Sequence, residues 1–219
     1  MNRGEVKERI IQARVIAVVR AGDVESAREL VEAYVSAGIK AVELTTSIRG
    51  WETLLDIVCS ECDVDTVVGV GTVTTAGEVD RAVDLGARFI VSPFVSEAVM
   101  ESANINNVSI IPGALTPSEI ARAYELGADM VKVFPVSSVG GPAYIRALLA
   151  PMPRWELVPT GGVTPDNAVE YLRAGAVAVG LGGNLAPRDK VRERDWDAVI
   201  SHVNSFLTEL DRRLKESGS

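Results

Sequence analysis

The amino-acid sequence predicts a (β/α)8 TIM barrel, in which eight parallel strands alternate with helices. The first observation is a series of eight short runs rich in apolar and β-branched residues, as in a sheet covered on both faces. The second is that segments with helical spacing separate these runs. The predicted strands cover residues 15–19, 41–45, 66–71, 89–92, 108–112, 130–134, 156–160 and 176–181.

Local signals support the helices between these strands, in chain order. An apolar stripe at helical spacing covers residues 24–35, and residues 51–62 are predicted to form the next helix and its end. Thr75 and Thr116 each stand three residues before a glutamate, the pattern of a capping box. Thr164 precedes a proline, which favours a further helix start there.

The remaining features complete a single predicted domain over residues 1–219. The helix over residues 95–103 is short, and two additional helices flank the barrel at residues 3–13 and 196–214. No linker rich in proline, serine or glycine interrupts the chain. An open doubly wound sheet is the alternative, because it has the same alternation. Glycines expected to end helices stand at positions 38, 86, 127 and 175.

The composition argues against several classes of function. The 219 residues carry a net charge of −8, which argues against general binding to nucleic acid or to an anionic membrane. No apolar run approaches the roughly 18 residues of a membrane span, and the N-terminus lacks the apolar core of a signal peptide. The prediction is a cytoplasmic protein with a small-molecule substrate and with no nucleic-acid or membrane partner.

The cysteines and the histidine argue against redox and metal chemistry. Cys59 and Cys62 form a C-x-x-C, but there is no second pair, and the single histidine, His202, is distant in sequence. The thiols are therefore predicted to be structural, in a reducing compartment, with a redox pair or half a metal site as the alternative. His202 is predicted to be a surface or packing residue of the last helix. Neither a metal nor a cofactor is expected.

Two charged residues inside apolar strands support the chemical prediction. Lys132 lies in the sixth predicted strand and Glu43 in the second. Since removal from water disfavours an ammonium ion, a buried lysine tends toward the neutral amine, which forms Schiff bases with carbonyl compounds. Barrel enzymes have their chemistry at the C-terminal ends of the strands, where a small substrate would reach both groups. The alternatives are a lysine whose head reaches water and a purely structural ion pair.

Glycine pairs after the seventh and eighth strands predict an anion site. Gly161-Gly162 and Gly182-Gly183 let an anion approach backbone N–H groups without obstruction by side chains. In (β/α)8 enzymes a phosphate is often held by these two loops. The alternative is that both pairs are only tight turns.

Motifs that are unspecific singly form an ordered set between about Val15 and Leu185. They are Val42-Glu43-Leu44-Thr45, Gly69-Val70-Gly71-Thr72-Val73, Ile90-Val91-Ser92-Pro93, Pro112-Gly113 with Thr116-Pro117-Ser118-Glu119, Lys132-Val133-Phe134-Pro135, Gly140-Gly141-Pro142 and Pro159-Thr160-Gly161-Gly162-Val163. As a set they are highly specific, and they resemble the 2-keto-3-deoxy-6-phosphogluconate aldolase family, also called the KDPG/KHG aldolases.

The resemblance implies a class I aldolase that needs no metal and assembles as a homotrimer. In that family the residue matching Lys132 forms the Schiff base, the one matching Glu43 shuttles protons, and the aromatic matching Phe134 packs by the lysine. Thr72 and Pro93 would line the pyruvate pocket. Besides Phe134 and Arg20, the predicted substrate-binding residues are Thr45, Thr72, Pro93, Thr160, Gly161, Gly162, Gly182 and Gly183.

The chain departs from the family pattern at two positions. Many members have an arginine four residues after the glutamate, where this chain has Ser47, and others have one at the end of the first strand, which matches Arg20. Arg20 is therefore predicted to bind the substrate carboxylate, with Arg49 as the weaker candidate. Many members also have a serine in the last phosphate loop, where this chain has Gly183.

The expected reaction is cleavage of 2-keto-3-deoxy-6-phosphogluconate to pyruvate and glyceraldehyde 3-phosphate. A second expected substrate is 4-hydroxy-2-oxoglutarate, which would give pyruvate and glyoxylate. Gly180-Leu181-Gly182 also resembles the branch that acts on the galactonate epimer. Two other hypotheses stay open: a phosphate-binding barrel isomerase or epimerase that forms no imine, and a non-catalytic barrel that binds a sugar-acid phosphate.

Overall fold

A computed structural model of the protein describes residues 1–216. Helices and short parallel strands alternate along the chain. The strands are β1 Val15–Val19, β2 Ala41–Thr45, β3 Val67–Gly71, β4 Phe89–Val91, β5 Ser109–Ile111, β6 Gly113–Ala114, β7 Val131–Val133, β8 Leu157–Pro159 and β9 Val179–Leu181. The helices are α1 Arg3–Ala13, α2 Val24–Ser36, α3 Trp51–Glu61, α4 Ala76–Asp84, α5 Glu97–Ile105, α6 Pro117–Glu125, α7 Pro142–Leu149, α8 Ala168–Arg173, α9 Arg188–Glu193 and α10 Trp196–Lys215.

The strands form two parallel ladders rather than one continuous eight-stranded sheet. Six strands make a curled sheet in the order β5-β4-β3-β2-β1-β9, and three make a second ladder in the order β6-β7-β8. The predicted fifth strand is split because Pro112 has no N–H to donate to a ladder. Several backbone contacts link the ladders. Among them, the Lys132 N–H donates to the Pro112 carbonyl at 2.9 Å, and Thr160 forms a parallel bridge with Gly180.

Most helix ends follow the predicted signals. Both capping boxes are present, and the four glycines expected at helix ends have φ between +92° and +104°. One predicted start is wrong. Helix α8 begins at Ala168, because Thr164 forms a turn in which its N–H donates to the Asn167 side chain at 2.8 Å. The short helix predicted over residues 95–103 is α5, which begins at Glu97 because Ser96 caps it. Helix α9 was not predicted.

Helix α1 covers the N-terminal end of the strands. Its buried side chains, Val6 and Ile10, form one apolar cluster with the inward-facing residues of the strands. The strand members of that cluster are Ile16, Ala41, Val67, Phe89, Val91, Ile111, Met130, Val158 and Ala178. This end of the strands is therefore filled by hydrocarbon. Polar groups that face inward lie in the layers nearer the C-terminal ends. No helix within residues 1–216 has the length and apolar character needed to cross a membrane.

We expect Ile10→Ala to lower the free energy of unfolding by about 2–4 kcal/mol, because it removes a buried side chain from this cluster. The matched control is Ile11→Ala, since Ile11 is only partly buried at the edge of the same cluster. Urea unfolding followed by circular dichroism measures both values. Equal losses for the two variants would contradict a covering role for α1.

Candidate active site

The centre of the candidate site is a buried pair of opposite charges. Lys132 on β7 and Glu43 on β2 are 6% and 3% exposed, and their Nζ and Oε1 atoms lie 3.6 Å apart. Both face inward, because their strand neighbours belong to the outer cluster that packs against the helices. The Oε1 atom accepts no hydrogen bond from any residue between 1 and 216. The two charges balance each other, and the Glu43 Oε1 atom can still accept a hydrogen bond from a ligand.

The carboxylate of Glu43 lies directly against the backbone of Gly71. A Cβ atom built on Gly71 would lie 1.9 Å from Oε1 and 2.4 Å from the carboxyl carbon of Glu43. No side chain larger than hydrogen fits there while the carboxylate keeps this position. Gly71 belongs to a motif that the sequence marked only through family resemblance. Gly71 can contact the Glu43 carboxylate only because β2 pairs with β3, in a register that places Thr45 opposite Gly71.

Thr45 and Thr72 are part of the backbone that surrounds Gly71. The fully buried Thr45 hydroxyl donates to the Val19 carbonyl at 3.1 Å and lies 2.8 Å from the Ser47 hydroxyl, so it ties β2 to β1. Thr72 has a φ of +63°, a left-handed conformation that is uncommon for a β-branched residue. The Thr46 hydroxyl donates to the Thr72 carbonyl at 2.9 Å. Strain of this kind, about 1–3 kcal/mol, is found at functional sites.

The Phe134 ring connects the lysine to the first glycine loop. Its centroid lies 5.5 Å from the Lys132 Nζ atom, within the range of a cation–π contact. A Cβ on Gly161 would lie 3.0 Å from the same ring. Gly161 and Gly162 both have a φ of +85°, which favours glycine. The structure therefore brings the predicted anion loop next to the predicted nucleophile.

The other predicted residues lie around the C-terminal ends of the strands. Thr160 is 8% exposed and packs on Gly180, where a Cβ would lie 2.4 Å from its Oγ1. Pro93 follows β4, and its carbonyl oxygen would lie 2.3 Å from a Cβ on Gly113. These contacts depend on glycines opposite each side chain or carbonyl.

The second glycine loop differs from the first. Gly182 and Gly183 do not have positive φ values, and a Cβ on Gly183 would meet nothing within 4 Å. A residue with a side chain would therefore fit at position 183. A cavity of about 340 Å³ is lined by Gly183 together with Thr164 from the loop after β8, so the two loops border one space. The exposed His202 lines this cavity too.

Arg20 takes no part in the buried ion pair. It is exposed and lines a cavity of about 320 Å³ with Arg192, Arg194 and Trp196, between the β1–α2 loop and helix α9. Glu43 forms its ion pair with Lys132 and not with Arg20. Arg49 is also exposed. A carboxylate-binding role for either arginine therefore stays a prediction.

The two cysteines are not part of the charged pair; they lie at the C-terminal end of α3. Both are half-buried and unpaired. Burial and the neighbouring Cys62 raise the pKa of the Cys59 thiol to about 11, and burial also raises the pKa of Cys62. Within residues 1–216, no group of three or more His, Cys, Asp and Glu side chains is arranged to hold a metal ion.

We expect native Cys59 to react with iodoacetamide at pH 8 much more slowly than the unfolded chain. A pKa of about 11 in place of an ordinary value near 9 leaves the thiol protonated until higher pH, with about 100-fold less thiolate at pH 8. The reaction rate should rise as the pH approaches the raised pKa. Peptide mass spectrometry of timed samples, with and without urea, measures this. Equal rates in the two conditions would contradict the structural interpretation of the thiol.

The chain is similar in sequence to known aldolases over most of its length. The 2-dehydro-3-deoxy-phosphogluconate aldolase of Treponema pallidum strain Nichols is 34% identical over 194 residues, covering 89% of this chain and 92% of that protein. The 2-dehydro-3-deoxy-6-phosphogalactonate aldolase of Escherichia coli K12 is 32% identical over 193 residues, covering 88% and 94%.

Solved structures and a family model agree with these relatives. A crystal structure of KDPG aldolase from Legionella pneumophila, with pyruvate captured at low pH as a covalent carbinolamine intermediate, has a TM-score of 0.84 and 26% identity. The match covers 92% of this chain and 97% of that one. The sequence model of the KDPG and KHG aldolases matches residues 6–202. The chain therefore belongs to the KDPG and KHG aldolase family.

Proposed function

We propose that this protein is a class I aldolase that cleaves 2-keto-3-deoxy-6-phosphogluconate to pyruvate and glyceraldehyde 3-phosphate. The observation that supports it most directly is the buried Lys132–Glu43 pair, with 3.6 Å between Nζ and Oε1. An amine and a carboxylate at this separation can act on neighbouring atoms of one small substrate. The Legionella relative, whose captured intermediate is a covalent adduct of pyruvate, supports the same chemistry.

The first stage is formation of an imine on Lys132. Lys132 loses its ammonium proton to water, and the neutral amine attacks the C2 keto carbon of the substrate. The C2 oxygen then takes up a proton from solvent and leaves as water, which gives a protonated imine. The Phe134 ring lies beside the amine, with its centroid 5.5 Å from Nζ. The positive imine then replaces the ammonium opposite Glu43, so the buried carboxylate keeps an opposite charge beside it.

The second stage is cleavage of the C3–C4 bond. Glu43 takes the proton of the C4 hydroxyl, the bonding electrons move into the imine, and glyceraldehyde 3-phosphate leaves with an aldehyde at that carbon. The enamine on Lys132 is then protonated at C3 by the protonated Glu43. Water hydrolyses the resulting imine, which releases pyruvate and regenerates the amine.

The predicted binding residues are assigned around this centre. Thr72 and Pro93 line the pyruvate part of the site, together with Thr45 and Thr160 from the neighbouring strands. The loop pairs 161–162 and 182–183 bind the phosphate through backbone N–H groups. Arg20 binds the carboxylate, which requires its exposed side chain to turn toward the site when substrate is present.

The fold-level proposals follow the family resemblance. The two ladders close into one (β/α)8 barrel through the Lys132–Pro112 hydrogen bond and the Thr160–Gly180 bridge. One domain spans residues 1–219, the last three of which lie outside the described residues. We also propose a cytoplasmic homotrimer, supported by the acidic composition and by the family pattern.

The test is an assay of pyruvate release coupled to lactate dehydrogenase. Phosphogluconate-type, phosphogalactonate-type and 4-hydroxy-2-oxoglutarate substrates are compared side by side. We expect the highest kcat/KM for the gluconate type. A parallel incubation with pyruvate and borohydride should add one reduced pyruvyl group on Lys132. Absence of both pyruvate release and the adduct would refute the proposal and favour a non-catalytic binder.

The galactonate epimer is a second candidate substrate. The galactonate-acting relative from Escherichia coli matches at 32% identity, close to the 34% of the gluconate-acting relative from Treponema. The same assay decides between them, because the two sugar acids differ at one hydroxyl. A higher kcat/KM for the galactonate type would replace the gluconate assignment.

A further inference from the structure

The segment after β7 runs alongside the first glycine loop. The Val136 N–H donates to the Thr160 carbonyl at 3.0 Å, and the Ser137 N–H donates to the Gly161 carbonyl at 3.1 Å. These bonds extend the pairing of β7 with β8 beyond the ends of both strands. The chain that follows the proposed nucleophile is therefore fixed against the loop proposed to bind phosphate.

The Ser137 side chain faces Gly162 in this arrangement. A Cβ atom built on Gly162 would lie 2.4 Å from both the Cβ and the Oγ atoms of Ser137. Gly162 thus accepts no side chain for two reasons, its positive φ and the presence of Ser137. The Ser137 residue is exposed, so its hydroxyl is accessible to a ligand. This hydroxyl lies beside the backbone of the anion loop.

The loop on the other side of the phosphate site supplies no hydroxyl. Many family members carry a serine there, and this chain has Gly183, around which a Cβ would meet nothing within 4 Å. A hydroxyl that donates to a charged oxygen strengthens binding more than one that donates to a neutral acceptor.

We propose that the Ser137 hydroxyl donates a hydrogen bond to the substrate phosphate, and that Ser137 selects phosphorylated over unphosphorylated sugar acids. This inference rests on the proposed aldolase function and specifies its phosphate site. Ser137 takes no part in the bond cleavage. Its contribution is to ground-state and transition-state binding alike, so it acts on KM rather than on kcat.

The test compares Ser137→Ala with wild type on 2-keto-3-deoxy-6-phosphogluconate and on its unphosphorylated form. We expect kcat/KM for the phosphorylated substrate to fall about 10- to 100-fold, the effect of losing a hydrogen bond to a charged group. The unphosphorylated substrate should change by less than about twofold. The half-saturating pyruvate concentration in borohydride trapping should also stay the same, because pyruvate has no phosphate.

The matched control is Ser138→Ala, which removes an exposed hydroxyl from the next residue. It should leave kcat/KM for the phosphorylated substrate unchanged. Urea unfolding should show the same free energy of unfolding for both variants. An unchanged KM in Ser137→Ala, or an equal loss on both substrates, overturns the inference while the aldolase function stands. A wild type that releases no pyruvate from any substrate refutes the proposed function, and the inference with it.

Discussion

Lys132→Met is expected to lower the rate of pyruvate release by at least about 10³-fold, because it removes the proposed nucleophile and leaves no route to an imine. Methionine keeps a similar length and an unbranched, apolar stem. The pyruvyl adduct formed with borohydride should disappear completely. Mass spectrometry of the intact protein and the coupled assay measure the two effects.

The matched control is Lys40→Met, which replaces an exposed lysine paired with Asp63 at the surface. It should keep wild-type turnover and the adduct. A barrel isomerase or epimerase that forms no imine makes the opposite forecast for Lys132→Met, since its turnover would survive. Substantial activity in Lys132→Met would therefore refute the Schiff-base mechanism.

The same variant has a second expected consequence, for stability. Lys132→Met leaves Glu43 buried without a counter-charge, which destabilises by about 3–5 kcal/mol in comparable buried pairs. Adding Glu43→Gln should recover most of this loss, because neither partner then carries a charge. Urea unfolding of wild type, both single variants and the double variant measures the coupling. Additive losses would show that the two side chains do not interact.

Gly71→Ala is expected to lower kcat by about 100-fold or more while the protein stays folded. The new methyl group would occupy the place of the Glu43 carboxylate, 1.9 Å from Oε1. Gly71 does not have a positive φ, so alanine adds no backbone strain there. The glutamate must move, and a displacement of about 1 Å is enough to cost this much in rate.

Two measurements separate displacement of Glu43 from general damage. The pyruvyl adduct on Lys132 should still form in Gly71→Ala, since the amine is untouched, whereas C3–C4 cleavage should fail. The control is Gly77→Ala in the first turn of α4, where an added Cβ meets nothing within 4 Å. Wild-type kcat in Gly71→Ala would show that the carboxylate does not need its observed position.

Much of the fold could be predicted because its signals are local. Apolar runs placed β1 and β2 at the residues observed, and the capping boxes at Thr75 and Thr116 placed two helix starts. The turn at Thr164 was mispredicted, because a threonine before proline is compatible with a turn as well as with a cap. The split at Pro112 follows from a missing N–H, but only the pairing with β7 shows its effect on the ladder.

The sequence by itself determined that a lysine and a glutamate lie in apolar strands and that glycine pairs follow the last two predicted strands. Only the tertiary structure decided that Glu43 rests on Gly71, that Ser137 faces Gly162, and that Arg20 lines a cavity to which the charged pair does not contribute. The physical reason is range. Strand period and helix caps depend on residues a few positions apart, whereas these contacts depend on the register and curl of strands from distant parts of the chain.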